Sequence, residues 1–156
     1  MSTVSKQFGV STEKFPSRLE PSLMTAQVVI EAAEVKTLAA SPVTLVPAPG
    51  PGRILLFADA YIRLEHGGTD YDDAAADGDI AIRYTDGSGT IVSTTLDADT
   101  FVDATGDAHR SIKQLTTDIT VLPNAALVLD NTGDEFTGGN GRLIVTVFYY
   151  NLFTGL

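Results

Sequence analysis

The stretch Arg53-Ile-Leu-Leu-Phe-Ala-Asp-Ala-Tyr-Ile-Arg-Leu-Glu65 constrains this chain more than any other. Its even positions, Ile54, Leu56, Ala58, Ala60, Ile62 and Leu64, are all apolar, while Asp59, Tyr61, Arg63 and Glu65 are mostly polar. A helix would scatter the even positions around its cylinder, whereas a strand puts them on one face. Leu55 and Phe57 interrupt the alternation, which predicts a half-buried strand covered on both faces in its first half. A strand this long with one apolar face needs a sheet around it and a second layer over it.

The rest of the chain supplies such strands. Gln27–Glu31, Val43–Val46, Asp79–Tyr84, Thr90–Thr95, Asp118–Leu122, Ala126–Asp130 and Arg142–Tyr150 are short apolar or alternating runs. Glu34–Leu38 also alternates with period 2 and reads as extended. The corner Pro47-Ala-Pro-Gly-Pro-Gly52 forbids regular structure before the long strand, and Asp86-Gly-Ser-Gly89 is a hairpin turn. Residues 66–78 and 131–141 read as loops. Leu96–Val102 is the one helix candidate, with Asp97 as its N-cap. About eight or nine strands with almost no helix predict an all-β fold, an antiparallel two-sheet β-sandwich of jelly-roll type. The alternative is an immunoglobulin-type sandwich, but its Cys and Trp landmarks are absent from the composition.

Two parts are expected along the chain. Residues 1–24 form an N-terminal extension without sustained periodicity, carrying Phe8, Phe15, Arg18 and Leu19 as well as Pro16 and Pro21. A solvated tail normally has fewer apolar residues, so this extension reads as an arm lying on another surface. Residues 25–156 form the sandwich. Charge divides the same way: residues 1–36 hold four basic and four acidic residues, so residues 37–156 carry the whole net charge of -10. An acidic body repels phosphate backbones, which excludes direct nucleic-acid binding. No apolar run is long enough to span a bilayer, and the first residues lack a secretory h-region.

Catalytic chemistry finds little to work with. There are no cysteines and two histidines, His66 and His109, 43 positions apart, without the His-x-His plus Glu pattern of cupin-type metalloenzymes. Asp70, Asp72, Asp73, Asp77 and Asp79 crowd one loop, but the EF-hand positions for Gly and Glu hold Ala75 and Ala81. Asp also favours loops for its own local hydrogen bonds, so a solvated acidic loop is expected. Phosphate-loop, dinucleotide and nucleophile-elbow signatures are missing. No enzyme activity, cofactor or metal is expected.

In the order and texture of its strands the chain resembles the small all-β decoration, or cement, proteins of tailed bacteriophage capsids. The likeness runs over about residues 35–150. It is carried by Pro47–Gly52 leading into Arg53-Ile-Leu-Leu-Phe, by His66-Gly-Gly-Thr-Asp-Tyr71 and by Gly78-Asp-Ile-Ala-Ile-Arg-Tyr84. It continues through Asn124–Asp130 and Thr137–Gly141 to Leu143–Tyr150. The resemblance implies a non-enzymatic virion protein, assembled in the host cytoplasm, that binds the major capsid protein on the outer shell, often as a homotrimer. On that reading Phe8, Phe15, Arg18 and Leu19 make capsid or subunit contacts, with Tyr149, Tyr150 and Phe153 adding area. Two alternatives belong to other classes: a carbohydrate- or receptor-binding module using Tyr61, Tyr71 and Tyr84, and a tail or head-completion ring protein.

Overall fold

Strand pairing in this chain is nested around one midpoint. A computed structural model describes residues 21–73 and 78–155. In it β1 (Leu23–Ile30) pairs with β10 (Arg142–Phe153), and β2 (Val43–Val46) pairs with β8 (Leu127–Asn131). Further in, β3 (Arg53–Glu65) pairs with β7 (Ala108–Lys113), and β5 (Asp79–Tyr84) pairs with β6 (Leu96–Asp97), all antiparallel. This is one long hairpin rolled up, so that alternate rungs fall in alternate layers. β10 closes onto β3 and β8 onto β5, giving a first sheet ordered β1-β10-β3-β7 and a second ordered β2-β8-β5-β6. That winding is the jelly roll expected from the strand pattern, not the immunoglobulin order. A small two-stranded sheet, β4 (Tyr71–Asp73) with β9 (Phe136–Gly138), caps one end.

The core lies between the sheets and is filled from the inner faces. From the first sheet come Ile62, Leu64, Leu143, Val145 and Val147, and from the second Ile80, Ile82, Leu127 and Leu129. The alternation along β3 changes phase part-way. Asp59 faces Phe148 and Phe57 faces Tyr149, so Ala58 has no partner and forms a bulge. Before the bulge Leu55 and Phe57 point inward; after it Ala60, Ile62 and Leu64 do, all of them buried. Leu55 and Phe57 therefore do not mark a strand covered on both faces: Ile54 and Leu56 are only half-buried on the outer side. One inserted residue swaps the faces because side chains alternate with period two.

Other departures have equally local causes. Glu34–Leu38 is not extended: α1 (Ala32–Lys36) turns there, with the Glu31 backbone N–H donating to Glu34 Oε2 at 3.0 Å. This turn buries Val35 and Leu38, which lie three apart on one helical face. Residues 118–122 are irregular, joined to the first sheet by a bridge from Pro123 to Ile54. Each of the two expected loops contributes one strand to the small sheet. The helix at α2 (Ala98–Phe101) is where it was expected, with Asp97 accepting from Thr100 N at 3.3 Å.

Two buried tyrosines tie the layers. The Tyr84 hydroxyl on the second sheet donates to Leu55 O on the first at 2.5 Å, and the Tyr71 hydroxyl donates to Gly141 O at 2.5 Å. Burial pushes both hydroxyls up to about 12, with the negative charge of Glu31 adding to the effect at Tyr71. An unfolded tyrosine ionises near 10. The folded state therefore holds its protons more tightly, and this stabilisation is complete below pH 10 and lost as pH rises towards 12. The unfolding free energy measured by urea denaturation is expected to fall across that window by up to about 1.4 kcal/mol per pH unit for each tyrosine. Tyr84→Phe is expected to cost about 1 kcal/mol at pH 8 and to flatten the alkaline slope. An unchanged slope in both Tyr84→Phe and Tyr71→Phe contradicts this account.

Candidate interaction face

The outer faces of the two sheets are treated differently. All five residues of β8 are buried, so both of its faces are covered. On its outer side Ala81 stands opposite Asp130 and Arg83 opposite Val128. Pro42 and the 86–89 turn close over them: a Cβ on Gly87 would lie 3.1 Å from Asp130 Oδ1 and 3.3 Å from Pro42. Beneath this cover Arg83 Nε lies 2.7 Å from Asp130 Oδ2, and Arg83 Nη1 donates to Gly89 O at 3.0 Å. Burial pushes the Asp130 carboxyl up, against the pull of the Arg83 guanidinium. Thr85 holds a φ of 68° in a tight three-residue turn, with Asp86 N donating to Tyr84 O at 2.8 Å. The Ser88 hydroxyl and N–H hold the exposed Asp86 carboxyl low. This cluster braces the hairpin turn expected at Asp86–Gly89.

Among the described residues nothing is laid across the outer face of the first sheet. Its rungs read Leu23–Tyr150–Leu56, Thr25–Phe148–Asp59–Lys113, Gln27–Thr146–Tyr61–Ser111 and Val29–Ile144–Arg63–His109. The half nearest β1 is apolar, relieved by a hydrogen bond from Gln27 Nε2 to Thr146 Oγ1 at 3.1 Å. The other half is charged. Lys113 Nζ meets Asp59 Oδ2 at 2.5 Å, and Glu65 takes both Arg63 and Arg142, the latter at 2.5 Å from Arg142 Nε. Glu65 raises the already high pKa of Arg142, so that guanidinium stays charged at any working pH.

Charge separates between the layers as well. Of the six basic residues after position 36, Arg53, Arg63, Arg110, Lys113 and Arg142 lie on strands of the first sheet. Among the described acidic residues of the same stretch, Asp59 and Glu65 alone share those strands. The acid is concentrated on the second sheet, the small sheet and the loops. Strand parity sends Arg63, Lys113 and Arg142 to the outer face, where Asp59 and Glu65 pair with them, and turns Arg53 and Arg110 the other way. That face is therefore apolar and close to neutral beside a strongly acidic remainder, which suits docking on a protein surface.

The residues singled out from the sequence fall into three groups. Phe8, Phe15, Arg18 and Leu19 lie outside the described residues. Tyr71 and Tyr84 are buried while Tyr61 is exposed, so the three do not form a shared aromatic platform. Tyr149 is buried against the core and Tyr150 is half-buried on the outer face, whereas Phe153 is 72% exposed. The histidines serve local structure. His66 Nδ1 accepts from Gly68 N at 3.1 Å, which leaves its Nε2 facing Asp70 Oδ1 at 2.7 Å. The His66 N–H donates to Asp107 Oδ1 at 2.8 Å, and His109 lies beside Tyr61. Among the described residues no three His, Asp or Glu side chains are grouped to hold a metal ion. Which sheet face stays open was not legible in the sequence, although Leu23 and Val29 mark its apolar edge near the two ends of β1.

No family model and no curated protein matches the chain. Among solved structures, a chain in the capsid asymmetric unit of cyanophage Pam1 is similar at a TM-score of 0.45 and 17% identity, over 84% of each chain. A chain in the capsid of Ralstonia phage GP4 is similar at a TM-score of 0.47 and 9% identity, over 85% of this chain and 84% of that one. Both are likenesses of loose overall shape.

If the open face serves contact and not folding, charges placed on it should be tolerated. Val29→Lys and Tyr61→Lys are expected to shift unfolding free energy by no more than about 0.5 kcal/mol. Val128→Lys, beneath the covered face, is expected to cost about 3 kcal/mol or more, measured by urea denaturation.

Proposed function

We propose that this protein is a non-enzymatic structural component of a phage virion, a decoration protein that binds the outer surface of the capsid. The observation that carries this reading is the one-sided sandwich: an apolar, nearly neutral outer face on an otherwise acidic body, entered by the strand that follows the N-terminal segment. That face meets the major capsid protein, and residues 1–20, with Phe8, Phe15, Arg18 and Leu19, extend the contact. The acidic loops and second sheet turn to solvent, where like charge on neighbouring copies discourages unordered clumping. Many modest contacts repeated over a lattice hold together far more firmly than one alone. The resemblance carried by residues 35–150 supplies the class of partner, and a homo-oligomer, of which the trimer is the form it implies, belongs to the same reading.

The carbohydrate-binding alternative loses its support with Tyr71 and Tyr84 buried and committed to backbone carbonyls. A ring protein of the tail or head differs from a decoration protein by abundance. The test uses capsid shells assembled without this protein. Wild-type protein is expected to saturate them at hundreds of copies per particle. Deletion of residues 2–20, which spares β1, and Tyr61→Lys on the face are each expected to lower occupancy at least tenfold. Unchanged occupancy in both variants, or saturation at a dozen copies, overturns the proposal.

A further inference from the structure

The two sheets present four strand edges, and three of them are shielded. β2 is four residues long and sits between Pro42 and Pro47, and β6 has two residues. β7 carries His109, Arg110 and Lys113, and its end is covered by residues 92–94, with Thr94 N donating to Lys113 O at 2.7 Å and Leu115 N to Val92 O at 3.1 Å. Short strands, prolines, charges and covering segments are the usual protections of a sheet edge. Among the described residues β1 has none of them. It is eight residues long, Leu-Met-Thr-Ala-Gln-Val-Val-Ile, without charge or proline, and among the described residues no strand pairs with its outer edge. It also gathers exposed apolar side chains, with Leu23, Met24 and Val29 at 53%, 42% and 44% exposure.

We infer that β1 is a self-association edge, which pairs antiparallel with β1 of a second copy about a two-fold axis midway between the two Ala26 residues. The occupant follows from symmetry and charge. In an antiparallel pair, opposed residues must point to the same side, so the axis must pass through a residue and not between two. Centred on Ala26, Leu23 stands opposite Val29 of the second copy on the outer face, and Met24 stands opposite Val28 on the inner face. All three exposed apolar residues of the strand then gain apolar partners. Centred on Gln27 instead, Leu23 would face the charged Glu31 and Val29 would face Thr25. Two chains of net charge -10 repel on most approaches, but this edge is uncharged and belongs to the sheet that holds most of the basic residues. The contact is isologous and joins the two first sheets into one of eight strands. A three-fold assembly, if present, uses another surface, because edge-to-edge antiparallel pairing is two-fold by construction. The inference does not rest on capsid binding, and its test uses the isolated protein.

The absence of native cysteine makes disulfide trapping unambiguous. In the proposed register the two Ala26 residues are directly opposed, about 4.5–5.5 Å apart at Cα, which suits a disulfide. The two Leu23 residues are six positions out of step, about 20 Å apart. The full-length Ala26→Cys protein is expected to form a covalent dimer under mild oxidation at least tenfold faster than Leu23→Cys. Adding Val29→Lys to Ala26→Cys is expected to slow that crosslinking at least fivefold. Sedimentation velocity of the unsubstituted protein is expected to show a concentration-dependent dimer that Val29→Lys abolishes. A monomer at every concentration, equal crosslinking from positions 23 and 26, or a dimer that Val29→Lys leaves intact would each overturn the inference. So would a dimer seen only after deletion of residues 2–20, since the edge would then belong to the chain's own N-terminal segment.

Discussion

The ladder between β3 and β10 is the contact on which the rest of the molecule depends. It is the longest pairing in the fold, running from Arg142 opposite Glu65 to Phe153 opposite Arg53. β1 and β7 attach to its two sides, and the inner face of the first sheet is defined by its parity. The unpartnered Ala58 lets one strand serve two phases. Without it, either Leu55 and Phe57 or Ala60, Ile62 and Leu64 would have to face water. Burying a large aliphatic or aromatic side chain contributes roughly 1.5–3 kcal/mol, so the bulge preserves several such contributions at the cost of one unmade rung.

Much of this architecture was legible because strand propensity and alternation coincide over long stretches. Arg142–Tyr150 and Asp79–Tyr84 could scarcely be anything else, and Asp97 announced its helix by position and chemistry. What escaped detection depended on two residues that are far apart in sequence, or on a single insertion. Nothing near Ala58 shows that Asp59 will be opposed by Phe148. Glu34–Leu38 has an alternating pattern that also satisfies a single helical turn, and the decision rests on Glu34 reaching back to the Glu31 N–H. The small sheet needs Phe136 to find Asp73 across 62 intervening positions, a pairing that no local signal announces.

The candidate site was legible in a different measure. Charge counting placed the acid in the body, but it could not show that all its basic residues except Arg83 share one sheet, because they are spread from Arg53 to Arg142. Tyrosines illustrate the limit best. Tyr61, Tyr71 and Tyr84 look equivalent along the chain, yet two are spent on backbone carbonyls inside the protein and one stands outside. Burial of an aromatic hydroxyl is decided by whether an acceptor waits at the right depth, as Leu55 O and Gly141 O do.

Nested pairing also sets an order of events in the cell. β10 lies between β1 and β3, so the first sheet has no ladder joining them until Arg142–Phe153 has been synthesised and has left the ribosome. Until then β1 and the apolar stretches of β3 wait with open edges in a crowded compartment. The second sheet is less delayed, because β5 and β6 meet locally and β8 follows soon after. Folding is thus held back by the last strand to appear, a consequence of threading the newest segment between the two oldest.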